Sequence, residues 1–374
     1  MNKILYISLV DWFWIKQRPH HFVEFLSKDN KVVYFCMQAW KRNPNTVVLN
    51  DSSKRETSKS IIDKGTLSIF RKKVIPFHRK YKFIENINDK LLSKRIEKLE
   101  DKNNFDIIIF THPMQLKYFP EKLLKNKTIV YDCMDNYEEF NYYDRKELLV
   151  YESKLYDISG KIVCSSDKLK NKLYNKYSHK KAIKVINNGV DIKTFDINKV
   201  GKSTVIDGDK MNKIAYIGAI SEWFDFDLIR NVSLRNPTIY FYIIGPIEKG
   251  VDIEKISNLK NVEIVGSIPY DEVPKVLASI DIAIMPFKLN ELIKSVNPVK
   301  IYEYLSMGKK VLSIRYDETE KFSNYIELYK NEVEFEEKLK KLLKEECSID
   351  YKIDYAKKNS WSKRVDEFYE YITT

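Results

Sequence analysis

Short apolar runs alternate with amphipathic stretches along most of the chain, beginning with Lys3 to Val10. That run reads as a buried strand. It is followed by a helix opened by proline, Pro19 to Ser27, and a second strand, Val32 to Met37. An irregular basic segment follows. Ile87, Leu91, Leu92 and Ile96 then recur at helical spacing and predict a helix over 86–99. Asp106 to Phe110 and Thr128 to Tyr131 read as strands, and Tyr143 to Ile158 as a helix. Lys161 to Ser165 (strand), Asp167 to Tyr177 (helix) and Ala182 to Ile186 (strand) continue the series. Such alternation implies a parallel sheet with helices on both faces.

A second series starts after a polar stretch, Ile192 to Asn212, that lacks a clear period. Its strands are predicted at 213–217, 239–244, 262–265 and 281–285, with helices starting at Asp225 and spanning Tyr270 to Ala278. The expected organisation is an N-terminal domain over 1–195, a linker over 196–212 and a C-terminal domain over 213–355. Each is α/β and doubly wound. In open parallel sheets, ligands bind beyond the C-terminal ends of the strands, so two such domains facing each other make a cleft. The last segment, 356–374, has helical spacing at Val365, Phe368 and Tyr369.

Length agrees with two domains, because 374 residues exceed one ordinary core. The N-terminal apolar run is too short to span a membrane and Asp11 interrupts it; neither a signal peptide nor a transmembrane helix is expected. Cys36, Cys133, Cys164 and Cys347 are scattered without metal-ligand spacing, which suits reduced thiols in a cytoplasm. The net charge of +12 is uneven. Between Phe70 and Ile84, cations interleave with aromatic rings. This mixture fits an anionic membrane surface, a solvated face with rings tucked inward, or nucleic acid.

The densest chemistry lies in Ser295-Val-Asn-Pro-Val-Lys-Ile-Tyr-Glu303, after the strand-like run Ile280 to Phe287. Asn297 and Pro298 suit a helix cap and first turn. The free backbone N–H groups there can hold an anion such as a nucleotide phosphate. Glu303 lies about a turn and a half deeper, where a carboxylate can take two ribose hydroxyls. Lys300 stands one turn before Glu303 and can pair with it. Asp225-Phe-Asp227 has the pattern of a manganese site, but it opens a predicted helix, where acids favour the dipole. Walker, dinucleotide-glycine and nucleophile-elbow motifs do not occur.

The stretch from Ser295 to Gly308 resembles the donor-site signature of GT-B glycosyltransferases, specifically family 4 of retaining enzymes and its cell-surface polysaccharide subgroup, such as the teichuronic acid glycosyltransferases. Further matches are Gln17-Arg-Pro-His-His-Phe22, Tyr131-Asp-Cys-Met-Asp135, Asn188-Gly-Val-Asp191 and Tyr216 to Asp225. The resemblance implies two Rossmann-like domains, with the terminal helix packing back on the first. It implies donor contacts at Gly218, Trp223, Gly245, Ile268, Ser295, Asn297, Pro298, Val299, Lys300 and Glu303. His112 is implied at the donor sugar, with Asp11 and Asp135 as cleft carboxylates; Arg18 and His20 are candidates for the acceptor.

The chain departs from the family in two places. Many relatives carry two glutamates separated by seven residues, and the first position here is Ser295; Glu291 is an alternative in a different register. An Arg and Lys usual after the first C-domain strand are replaced by Gly218-Ala-Ile-Ser-Glu-Trp-Phe-Asp225. The expected activity is retaining glycosyl transfer from a nucleotide sugar, UDP-linked, to a lipid-linked or growing surface glycan. No cofactor or metal is expected. The expected place is the cytoplasmic face of an anionic membrane. The rivals are a nucleotide-sugar 2-epimerase, a noncatalytic glycan- or lipid-binding subunit and, more remotely, a nucleic-acid binder.

Overall fold

The computed structural model of the protein describes residues 1–38, 59–76, 81–140, 143–177, 180–201, 203–206, 208–346 and 348–374. Cys347 and the basic residues Arg79 and Lys80 lie outside them. The described residues fall into two compact units. One holds residues 1–38, 59–187 and 364–374; the other holds 188–363.

The first unit is built on eight strands: β1 (Lys3–Ser8), β2 (Lys31–Gln38), β3 (Ile61–Lys64), β4 (Leu67–Lys73), β5 (Ile107–Phe110), β6 (Thr128–Cys133), β7 (Lys161–Cys164) and β8 (Ile183–Val185). Their order is β3-β4-β2-β1-β5-β6-β7-β8, parallel throughout except for the β3–β4 hairpin. Ile4 to Ile7 and Ile107 to Phe110 are buried without interruption, as expected of strands covered on both faces. The main helices are α1 (Arg18–Leu26), α2 (Lys82–Asn103), α3 (Arg145–Ile158) and α4 (Asp167–Lys176). Asp144 and Ser166 cap α3 and α4 by accepting from the N–H groups of Glu147 and Leu169. From β1 the chain builds the sheet first toward β2, then toward β5. The reversal places a switch point between the ends of β1 and β5.

Two expectations change here. Part of the segment read as irregular forms β3 and β4. In β4, Leu67, Ile69 and Arg71 point inward, while Ser68, Phe70 and Lys72 are half-buried. A cation at an inward position hides the strand's period of two. Helix α2 begins four residues before the predicted start and continues to Asn104, whose φ of 49° makes the left-handed stop.

The second unit carries β9 (Lys213–Ile217), β10 (Tyr240–Ile244), β11 (Val262–Gly266), β12 (Ile282–Met285), β13 (Lys310–Ile314) and β14 (Glu327–Tyr329). The sheet order is β11-β10-β9-β12-β13-β14, all parallel, with the switch point between β9 and β12. Helices α5 (Phe226–Arg235), α6 (Val273–Ala278), α7 (Glu291–Ser295), α8 (Val299–Ser306), α9 (Glu332–Lys344) and α10 (Asp350–Lys358) flank it. Residues 196–212, read above as a linker, count with this unit, and Ile206 is buried in its core. The last helix, α11 (Trp361–Thr373), counts with the first unit from Arg364 onward. There Phe368 meets the Phe22 ring at 4.9 Å, and the Tyr369 hydroxyl donates to Asn30. Among the described residues, no helix is long and apolar enough to cross a membrane.

Candidate functional site

In the second unit the loops beyond β9, β10, β11 and β12 converge around two glycines. Gly245 has φ +146°, and a Cβ there would lie 1.9 Å from the Gly218 carbonyl oxygen. A Cβ on Gly218 would meet Lys300 Cε at 2.0 Å and Nζ at 2.6 Å. The missing side chains therefore let two backbone turns approach each other and let the Lys300 ammonium lie on the Gly218 peptide. Lys300 is the second residue of α8, so its charge sits beside the helix's free N–H groups. Pro298 is the N-cap and offers no side-chain bond, so of the first-turn N–H groups Ile301 turns back to the Pro298 carbonyl at 3.2 Å while those of Val299 and Lys300 take no cap.

One turn deeper, Glu303 Oε1 accepts from the Tyr270 hydroxyl at 3.3 Å. Burial raises the Glu303 carboxyl to about 7 against the pull of Lys300 and Tyr270, and Asp191 adds to the rise. Burial likewise lowers Lys300, opposed by Glu303. No carboxylate lies within ion-pair distance of Lys300 among the described residues. The result is a cation, a row of amide donors and a carboxylate on consecutive turns at a switch point, the position where open α/β sheets bind ligands.

The neighbours hold this arrangement in place. Asn297 is buried; its Oδ1 accepts from Asn188 N–H at 2.9 Å and Tyr302 hydroxyl at 3.2 Å, while its Nδ2 donates to Glu318 at 3.0 Å. Asn188 Nδ2 donates back to the Asn297 carbonyl. The Asn188-Gly-Val-Asp191 motif thus anchors the loop before α8. Gly189 is required because a Cβ would lie 2.7 Å from the Asn359 carbonyl oxygen. Ser295 is buried and donates to Leu292 O, closing α7. Glu291 is exposed and pairs with Lys294 at 2.9 Å. Trp223 is half-buried and packs against the core of the unit. Ile268 packs on the core edge, and Val299 is the first helical residue of α8. Asp225 caps α5 by accepting from Leu228 N–H, and Asp227 pairs with Lys255 at 2.8 Å and Lys288 at 3.3 Å.

The first unit's switch point is built differently. His112 follows β5 and is fully buried between the rings of Tyr137 (4.2 Å) and Tyr143 (4.6 Å). Its Nδ1 accepts from Met114 N–H at 3.1 Å, which puts the proton on Nε2. Burial lowers its pKa to about 3, so the ring is neutral, and Nε2 has no partner among the described residues. Asp135 follows β6, and desolvation pushes it up to about 7.

The other candidates are engaged inside this unit. Asp11 takes both oxygens to Arg71 Nη2, at 2.9 and 2.8 Å. Arg18 binds the buried Asp132 through Nε and Nη2, and its Nη1 donates to Ile186 O at 2.8 Å. His20 Nδ1 accepts from Gln17 N–H, and burial lowers its pKa to about 4.

The sequence marks Tyr270 only as the start of a helix. Neither spacing nor composition singles it out, because its role depends on β11 and β12 bringing its loop beside α8. Ser267 was also missed; its buried Oγ has no partner among the described residues, in the same loop.

With two doubly wound, mainly parallel sheets in succession, the fold is GT-B. Solved structures agree. Anabaena HepE in complex with UDP and glucose superposes with a TM-score of 0.74 at 12% identity, covering all of both chains. Sucrose-phosphate synthase of Thermosynechococcus elongatus reaches 0.71 at 11% identity, over 99% of this chain and 98% of its own. The structure of "Trehalose-6-phosphate from E. coli bound with UDP-2-fluoro glucose" reaches 0.71 at 10% identity, over 99% of this chain and 98% of its own.

Residues 212–345, which contain the whole Lys300–Glu303 site, match the model of glycosyl transferases group 1. A Bacillus subtilis (strain 168) protein named "Putative teichuronic acid biosynthesis glycosyltransferase TuaH" is 28% identical over 205 residues, 52% of each chain. The chain thus spans about half the length of the curated relative it matches.

Proposed function

We propose that the protein transfers a sugar from a UDP-sugar to a hydroxyl of a lipid-linked or growing surface glycan, with retention of anomeric configuration. The observation that carries this reading is the Lys300 ammonium laid on Gly218 at the start of α8, with Glu303 one turn deeper. Lys300 and the α8 amides offset the diphosphate charge that the family's usual Arg/Lys pair would meet, and they do so more strongly as the sugar–phosphate bond breaks. Glu303 takes the ribose hydroxyls. The acceptor oxygen forms its bond to the anomeric carbon on the face the phosphate leaves, and the leaving phosphate oxygen takes the acceptor proton. No strong protein base is needed, which suits an Asp11 held by Arg71 and a neutral His112. His112 Nε2–H is the donor we assign to the sugar.

We place this reaction at the cytoplasmic face of an anionic membrane and assign it no metal. Asp225 already caps a helix and Asp227 is paired with lysines, so neither is arranged as a ligand. The test is a donor screen: UDP-, GDP- and ADP-sugars are compared by thermal shift and slow hydrolysis, then by transfer to lipid-linked acceptors in excess EDTA. A UDP-sugar should stabilise and turn over in EDTA, with an axial or equatorial product linkage matching the donor. Failure of all nucleotide sugars to shift the melting point sinks the reading. Activity lost in EDTA and restored by manganese would return Asp225 and Asp227 as ligands.

A further inference from the structure

The described residues of the basic–aromatic segment at 70–84 do not form one surface. Arg71 is buried against Asp11, Lys82 pairs with Glu85 at 3.2 Å and Glu147 at 3.1 Å, and Lys72 is half-buried. A more regular surface lies on α2. Its inward row, Asn88, Leu92, Ile96 and Leu99, is buried. Its acidic flank is neutralised by lysines from the segment that follows β5: Glu85 and Asp89 by Lys117, Glu97 by Lys122 and Glu100 by Lys127.

The outward side is left with Phe83 (64% exposed), Ile87 (43%) and Leu91 (39%), spaced four apart. Lys90, Lys94, Lys98 and Lys102, also four apart, carry on that side toward the C-terminus of the helix. These four lysines have no carboxylate within ion-pair distance among the described residues. Asp101 is the only carboxylate among the exposed residues of the helix. Tyr81 (43% exposed) lies beside Phe83, ring to ring at 6.0 Å, and Ile75 (38%) is pinned to the helix by two bonds from its backbone to Asn88.

We infer that this face of α2 docks on an anionic bilayer, with Tyr81, Phe83, Ile87 and Leu91 entering the interface and the lysine row meeting lipid phosphates. The complementarity selects the occupant. Contiguous apolar side chains on one half of a helix and unpaired cations on the other half match an acyl boundary beneath negative headgroups. A second copy of the chain would bring an identical lysine row against this one, with like charges opposed. The helix is about 33 Å long, so it can lie along the surface without spanning it. The inference deepens the proposed membrane-presented acceptor but does not require it, because vesicles without acceptor suffice to test it.

The full-length protein is co-sedimented with phosphatidylcholine vesicles and with 3:1 phosphatidylcholine–phosphatidylglycerol vesicles at low and moderate salt. Wild type should bind the anionic vesicles and not the neutral ones. Phe83→Ser/Ile87→Ser/Leu91→Ser and Lys90→Gln/Lys94→Gln/Lys98→Gln should each weaken binding at least tenfold, with unchanged melting and unchanged UDP affinity. Lys72→Gln/Lys73→Gln should bind like wild type. Equal binding of the α2 variants and wild type overturns the proposal, as does no binding by wild type. A dimer in light scattering that the Phe83 triple variant abolishes, without vesicle binding, assigns the face to a second copy instead and also overturns it. Loss of UDP binding in wild type would count against the transferase reading and leave this result standing.

Discussion

Both units bring an acid and a base near the C-terminal ends of their strands and treat them differently. In the first, Arg18 and Asp132 are 4% and 0% exposed and locked together; Arg71 holds Asp11 the same way. Both carboxylates are held by a guanidinium within the unit, an arrangement that ties loops together. In the second, Lys300 and Glu303 perturb each other, yet no ion pair joins them, and the end of Lys300 lies where a Cβ on Gly218 would stand. A buried pair and a ligand site are made of the same residue types. Partner saturation tells them apart.

That difference can be broken from either side. Arg18→Ala leaves Asp132 buried without its partner and should cost about 3–5 kcal/mol of unfolding free energy by denaturant titration. An effect below about 1 kcal/mol would remove the structural assignment of this pair. Glu303→Gln should do the opposite. Glu303 is held near 7, above its ordinary 4.5, so the folded state binds this proton more tightly than the unfolded state between those values. Stability is therefore lost as pH rises through that window. The Gln variant should be more stable than wild type by about 1–3 kcal/mol at pH 8 and no more stable at pH 4. A variant destabilised at pH 8 would mark Glu303 as structural. Gly218→Ala presses on the flexible end of Lys300 rather than on backbone, so it should shift stability by less than about 1 kcal/mol while weakening UDP about tenfold. A large drop in melting temperature with unchanged UDP affinity would reverse that assignment.

Much of the architecture was legible in the residues. Apolar runs such as Ile107 to Phe110 have one physical solution, a strand covered on both faces, and Gly308 ends α8 with φ +65°. What escaped were elements whose pattern a functional or paired residue interrupts. Arg71 at an inward position disguised β4, and α7 is a five-residue helix inside a polar loop. Within the site, Lys300 and Glu303 were legible because both lie on one short helix. Tyr270 was not, since its distance in sequence from Glu303 is closed only by the sheet. An arginine at a helix start suits an anion, so the sequence points Arg18 at an acceptor; its buried partner lies 114 residues away. His112 could be located from the end of β5. Its tautomer could not, because that depends on the Met114 N–H.

The central claim is that Glu303 and Lys300 form a nucleotide site rather than a structural pair. Isothermal titration calorimetry of UDP against wild type, Glu303→Ala and Lys300→Met tests it most directly, with melting curves as the check on folding. Each variant loses a charge-assisted hydrogen bond worth about 1.5–3 kcal/mol, so UDP affinity should fall about 10- to 150-fold in a protein that melts no lower than wild type. Unchanged UDP affinity in folded Glu303→Ala and Lys300→Met would contradict the claim.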